Sequence, residues 1–401
     1  MRKITILSLL LLLNNVLMMA EDTITSVFPR HFYNSRQIPF LVEQQTNSTR
    51  DKRRTLYFSP EITTFARDAE YFLPYTEGYT ALGFHFNPSF TYRANKALEA
   101  TVGVHLTGIA GDHTKIREVA PIVRLQYTPA EWITFVGGSL YGNLCHNLYE
   151  PMYGFDRYYR DNQEMGLQIF AHTKHWNTEV WCNWEDFIEI GSEWQEKFTF
   201  GWVNNFKITP FQDTTTRFEI PLHLMMNHRG GQINTLADTC LETLANIATG
   251  LAFQFETTRT QARIEVPFFL FSNRSNEEHI HTHFKDGWGI YPQVTVQNNH
   301  PKHHWSTTIG YWHGQGFIAG RGSYLFQSRS YFDDTFERKY RDMATIKATY
   351  CLNKILGFEA QAYYDFSEPG MDYAFGIYLF FDCDFRIHTF KKKSISQHTR
   401  L

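Results

Sequence analysis

Three histidines stand two residues apart in "HIHTHF": His279, His281 and His283. On an extended segment that spacing puts all three imidazoles on one face, with Glu277 and Glu278 beside them, a donor set suited to zinc or copper. Histidine-rich loops are more often simply solvated, so the expectation is no metal and no cofactor, these three being the weak candidates. A second concentration of chemistry runs from Gly314 to Arg341, "GQGFIAGRGSYLFQSRSYFDDTFERKYR". Arg321, Arg329, Asp333 and Asp334, with Arg338 and Arg341, set bases against acids, as a constriction loop over a polar passage would. An external cap, or a short extra hairpin around Ser323–Ser330, fits the same composition and is the favoured reading of so long a link. Gly314, Gly316 and Ala319 imitate a dinucleotide fingerprint, but a period-2 run precedes them and no helical period follows, so the match is chance. A nucleophile search finds neither G-x-S-x-G nor H-E-x-x-H. His85, His105 and His223 have hydroxyls available, yet no triad can be singled out. The expectation is that the chain is not an enzyme.

The elements that must carry these residues alternate with a period of two. In "LGFHFNPSFTYR", Leu82, Phe84, Phe86, Pro88, Phe90 and Tyr92 interleave with Gly83, His85, Asn87, Ser89, Thr91 and Arg93. Side chains of a strand point to opposite faces in turn, so one face is greasy and the other wet. The pattern recurs from Thr55 almost to the end, and helical periodicity is nearly absent. About 16 strands are read between 55 and 387, with 14–18 as the range. Links after even-numbered strands are short, such as "PA" at 129–130; those after odd-numbered strands are mostly long, such as 143–162, 228–244, 272–285 and 314–341. This asymmetry, with strands long enough to cross a hydrocarbon core at a tilt, predicts an all-β fold. It is a transmembrane, antiparallel, up-and-down β-barrel with both termini on the short-turn side. The greasy faces then meet lipid. Arg93, Arg124, Arg217, Glu219, Arg263, Glu265, Lys347, Glu359 and Asp382 fall on the lumen face and are the expected channel lining, either orienting solutes or pairing across strands, as Glu219 with Arg217. Most tryptophans, among them Trp132, Trp202, Trp288 and Trp305, fit an aromatic girdle; inward Trp181 could stack a sugar ring.

The chain opens "MRKITILSLLLLLNNVLMMAEDT", a positive start, an apolar run and a small residue before acids. That predicts a signal peptide over 1–20, then an extended segment over 21–54, the barrel over 55–388 and a basic tail over 389–401. Aromatics are 16% of the 401 residues and mean hydropathy is −0.38, which suits hydrophobicity diluted by alternation. A net charge of −3 offers no nucleic-acid footprint. Five cysteines do not make a disulfide scaffold. Cys182 and Cys383 fall on the greasy side and Cys351 opposite; if any disulfide exists, it joins the long-link residues Cys145 and Cys240, although unpaired thiols are favoured.

Over roughly 55–388 the pattern resembles porin-type outer-membrane β-barrels of Gram-negative bacteria. Segments such as "FLPYTEGYTALGFHFNP", "LTGIAGD", "HRGGQI" and "GYWHGQGFIAGRGSYLFQS" look like uncharacterised families of the Bacteroidetes lineage. The resemblance implies the cell outer membrane, periplasmic termini, and outer-membrane lipid and the barrel-assembly machinery as partners. That machinery reads a terminal aromatic, here Phe385 or Phe390, although "KKKSISQHTRL" follows. Porins are commonly trimers, but no oligomer interface is legible. Sixteen strands leave an aqueous lumen, so the expected function is a passive channel for small hydrophilic solutes. The alternatives are a barrel enzyme acting on outer-membrane lipid or polysaccharide, and a plugged barrel serving assembly or adhesion.

Overall fold

The computed structural model describes residues 53–390, apart from 115, 209–214, 232–240, 276–283, 299 and 301. His279, His281, His283 and Cys240, the segment 1–52 and the tail from 391 lie outside the described residues. The alternating runs become strands of one antiparallel sheet. In chain order they are β1 (Thr55–Glu70), β2 (Tyr79–Arg93), β3 (Leu98–Ile109), β4 (Glu118–Ala130), β5 (Ile133–Ser139) and β6 (Met165–His172). Then come β7 (Trp176–Asp186), β8 (Lys197–Ile208), β9 (Thr216–Arg229), β10 (Glu242–Glu256), β11 (Thr260–Asn273) and β12 (Asp286–Ile290). The last are β13 (Gln293–Asn298), β14 (His303–Gln315), β15 (Tyr340–Leu352), β16 (Leu356–Asp365), β17 (Gly370–Phe381) and β18 (Phe385–Thr389).

β12 and β13 share one place in the wall, between β11 and β14. Pro292 parts them, since proline brings no N–H to the ladder. β17 and β18 likewise both lie against β1, so the 18 strands fill 16 wall positions. β1 pairs with β2 on one side and with β17 on the other, which closes an up-and-down barrel. No helix among the described residues is long and apolar enough to cross a membrane; the wall crosses with strands.

The period of two decides what faces lipid. Leu82, Phe90 and Tyr92 are exposed on the outer wall, while His85, Thr91 and Arg93 between them are buried. Ile264 is 52% exposed and its neighbour Glu265 only 4%. Ile264→Arg should therefore disfavour insertion by about 2–4 kcal/mol near the midplane. Folding yield read by heat-modifiability checks it, and a yield equal to wild type would mean the faces are assigned one residue out. The inward neighbour Arg263 has its guanidinium 2.7 Å from Glu219 and 3.0 Å from Glu265. Removing it would strand two largely buried carboxylates, so that site is not neutral.

Two links occupy much of the lumen. The chain leaves the wall after Ser139, just past Gly138, whose φ of +93° suits glycine and where a Cβ would come 2.0 Å from the Val123 carbonyl. The link 140–164, with a short helix α1 (Arg157–Arg160), folds into the barrel. There Tyr149, Met152 and Tyr153 join Phe317, Ile318 and Phe326 of the 316–339 link, and wall residues such as Met225, Phe269 and Trp312, in one buried cluster. The longer link thus packs inward rather than capping the barrel from outside. Its apolar side chains gain more from burial than from water, at roughly 25 cal/mol per Å². Arg341 anchors it, bonding Asp365 at 2.6 Å and the Leu325 carbonyl at 3.0 Å with its guanidinium over the Tyr75 ring. Cys145, in the first of these links, is buried inside.

Candidate functional site

Most of the residues expected on the lumen face have polar partners. Glu219 pairs with Arg263 and not with Arg217, which lies half-exposed 3.9 Å from Glu256. Glu359 bonds Arg67 at 3.1 Å, and Lys347 bonds Glu150 of the 140–164 link. Arg93 sits 3.6 Å from Glu99, and Arg124 donates to the carbonyls of Ser139 and Leu140 at 2.7 and 2.9 Å. Glu265 accepts from Arg263 and Gln293, while Asp382 is exposed in the kink between β17 and β18. In the long link, Arg321 turns inward to Glu185 and Asp161, the Arg329 backbone pairs with that of Glu337 in an isolated antiparallel bridge, Asp333 accepts from Thr335 N–H and Asp334 is exposed.

One buried histidine looks reactive and is not. His146 lies between Glu179 at 2.5 Å and Glu164 at 2.7 Å, stacked 3.8 Å from Trp181. Gly201 leaves room for that indole: a Cβ there would come 2.0 Å from the Trp181 ring. Burial alone would lower the imidazole pKa, but the two carboxylates hold it up, to about 10. Glu164, which burial would raise, is lowered to about 2 by His146. Both ring nitrogens donate, so this imidazolium is a strut that pins the plug and cannot act as a base. Trp181 is likewise spoken for and offers no face to a sugar. His85 and His105 are buried on Thr107, and His223 stacks on Tyr149.

The unusual chemistry is on the outer wall, near the long-link end. There a shallow groove of about 440 Å³ crosses β10, β11, β12 and β14. Ala245, Ile247, Leu270 and Trp288 form its apolar part, and Ser272, Arg274, Asp286 and Gln315 its polar part. Outward positions inside the hydrocarbon zone should be apolar, and polar ones are cheap only near its edge. The Ser272 hydroxyl donates to Asp286 at 2.8 Å, Arg274 reaches Asp286 at 3.5 Å, and the Trp288 indole donates to Gln315 at 3.2 Å.

Next to Trp288 stands His313, with ring centroids 5.3 Å apart. Register sets His313 of β14 directly opposite Asp342 of β15, and Nδ1 lies 2.7 Å from the Asp342 carboxylate. The Tyr311 hydroxyl donates to the same oxygen at 2.9 Å, and the Asp342 N–H donates to Ser367 at 2.8 Å. Both side chains are about one-third exposed, 35% and 31%. Among the described residues Nε2 of His313 has no partner, so it faces the membrane side as an acceptor oriented from behind by a carboxylate. This arrangement can take a proton from water or a hydroxyl. At the groove's other end His228 accepts from Thr243 at 2.9 Å through Nδ1 and donates to the Gly230 carbonyl at 3.0 Å through Nε2. That pair presents a hydroxyl beside a base, but both ring nitrogens are already engaged.

No motif search could find His313 and Asp342. They lie 29 residues apart on two strands joined by a long link, and only pairing register brings them together. The legible signal was a histidine at an outward position, after Ile309 and Tyr311 on the greasy face, where an aliphatic or aromatic residue was due.

Among solved structures, a loop-deletion mutant of OmpT, an outer-membrane protein of Vibrio cholerae, is 9% identical over 82% of this chain and 99% of that one, with TM-score 0.48. OprD of Pseudomonas aeruginosa is 9% identical over 82% and 94%, with TM-score 0.40, and OccAB4 of Acinetobacter baumannii 9% over 83% and 99%, with TM-score 0.44. At that distance they bear on no residue. No curated protein matches the chain. Residues 47–390, in contrast, match the family described as Lipid A 3'-O-deacylase-type. That finding corrects the expectation that the chain is not an enzyme, because the family is named for an enzyme activity; the missing motifs excluded only active sites that are contiguous in sequence. With the match spanning the whole described barrel, this outer-membrane-type β-barrel belongs to the Lipid A 3'-O-deacylase-type family.

Proposed function

We propose that the protein hydrolyses an acyl ester of an outer-leaflet glycolipid of the lipid A class, with its long-link end facing the exterior and its termini in the periplasm. The observation that carries this reading is the His313–Asp342 pair, turned towards lipid beside an apolar groove. Ester linkages of such a lipid lie where acyl chains meet the sugar headgroup, which is the depth at which polar residues interrupt the outer wall. His313 Nε2 takes a proton from water as the water oxygen adds to the ester carbonyl. The carbon–oxygen bond to the sugar then breaks, and the imidazolium returns the proton to the departing sugar oxygen. A fatty acid and a free hydroxyl result. Asp342 holds the imidazole in the tautomer that accepts at Nε2 and stabilises its charged form. Trp288, Leu270 and Ile247 would hold an acyl chain, and Arg274 is placed for an anionic headgroup.

Passive conduction, which strand number favoured, has less support, because two links occupy the space a wide pore would need. The test is incubation of the folded protein with such a glycolipid in mixed micelles, followed by mass spectrometry for loss of one acyl chain. Ala245→Trp, which fills the groove, should raise KM for the long-chain lipid by about tenfold or more and leave hydrolysis of a short-chain soluble ester unchanged. An equal effect on both esters would remove the groove from the reading.

A further inference from the structure

Two polar cavities lie on the far side of the barrel from the groove, and one residue lines both. The upper cavity, about 340 Å³, sits at the long-link end where the wall is low. β5 stops at Ser139 and β6 starts at Met165, while their neighbours β4 and β7 run on to Glu118 and Asp186. The Ser139 hydroxyl stands in for the missing strand, accepting from Val123 N–H at 3.0 Å and donating to the Pro121 carbonyl at 3.3 Å. The lower cavity, about 110 Å³, extends between the plug and β1–β4 to Ser59 and Asp384, near the short-turn end. Either volume holds several waters. Gln163, at the end of the inward link, lines both cavities. Its side chain makes no hydrogen bond among the described residues.

The linings are dominated by acid. Below Gln163, Glu61, Glu99, Asp382 and Asp384 line the cavity with Arg124. Above it, Glu118, Asp161, Glu164, Glu185 and Asp186 line the cavity with Lys197. Several are matched from outside the cavities, Glu99 by Arg93, Asp161 by Arg157, Glu164 by His146 and Glu185 by Arg321, but the linings themselves hold nine carboxylates to two bases. A narrow polar path between carboxylates admits cations and repels anions.

We propose that the two cavities are halves of one conduit for small cations past the plug, and that the unbonded Gln163 side chain is its gate. This function is independent of the lipid-facing site, because it uses the opposite wall and none of the groove residues. The test is single-molecule conductance of the folded protein in planar bilayers, under a potassium chloride gradient. Wild type should show small steps, well below those of an open barrel, with a reversal potential of cation sign. Gln163→Ala should raise step size about twofold or more, and Gln163→Trp should abolish steps. Glu61→Gln with Asp382→Asn should weaken the cation preference. Heat-modifiability verifies that each variant is folded, and glycolipid hydrolysis should be unchanged in both Gln163 variants. Absence of steps from wild type and Gln163→Ala alike, equal steps in wild type and both Gln163 variants, or a reversal potential of anion sign overturns the proposal.

Discussion

His313→Ala is expected to lower the rate of acyl-ester hydrolysis by about 10²–10⁴, the usual worth of a positioned base. Because His313 lies on the outer wall and is one-third exposed, its loss opens no cavity and should leave the barrel folded. Asp342→Asn keeps the geometry but offers an amide to Nδ1, which favours the wrong tautomer, and the loss should be about 10²-fold or more in kcat with little change in KM. Thr243→Val removes the hydroxyl beside His228 and should leave the rate near wild type, because water and not Thr243 is the nucleophile. The readout is fatty acid released per folded barrel, with heat-modifiability scoring the fold. Full activity in His313→Ala, or abolition by Thr243→Val with His313 intact, moves the chemistry to the other end of the groove.

The second large effect is on the plug. His146→Phe keeps the stack on Trp181 but leaves Glu164 and Glu179 facing each other out of water, at a cost of about 3–5 kcal/mol. The loss should appear as earlier proteolysis within 140–164, while the strands stay protected. Adding Glu164→Gln and Glu179→Gln to His146→Phe should recover most of it, and no recovery would mean that the charges are not the cause. The pH dependence follows from the same triad. The imidazole is held above its ordinary value of 6.5, so its contribution is full below that value and is lost as pH rises towards about 10. The Glu164 carboxyl is held below its ordinary 4.5, so its contribution is full above that and is lost as pH falls towards about 2. Plug protection should therefore be greatest between about 4.5 and 6.5 and decline on both sides. A profile flat to pH 10 would show that His146 is not charged in the folded protein.

Much of the barrel could be read from alternation alone. Leu82, Phe90, Ile264 and their like stand at outward positions because a strand offers only two faces, and a membrane demands apolar side chains on one of them. Short and long links in turn determined the up-and-down order, and an even strand count followed. The contents of the lumen were not legible. "GFIAG" and "SYLFQS" read equally as a cap or as a filling, and Tyr149, Met152 and Phe326 meet only once the barrel has closed around them. The same limit hid the site. Composition determined that histidines and acids were present, but no spacing along the chain tells that His313 meets Asp342, whereas His146 is clamped between two glutamates. Pairing across strands and around a closed wall brings together residues that chain spacing keeps far apart. Which imidazole faces lipid with a free nitrogen, and which is buried as a strut, was decided by the tertiary structure.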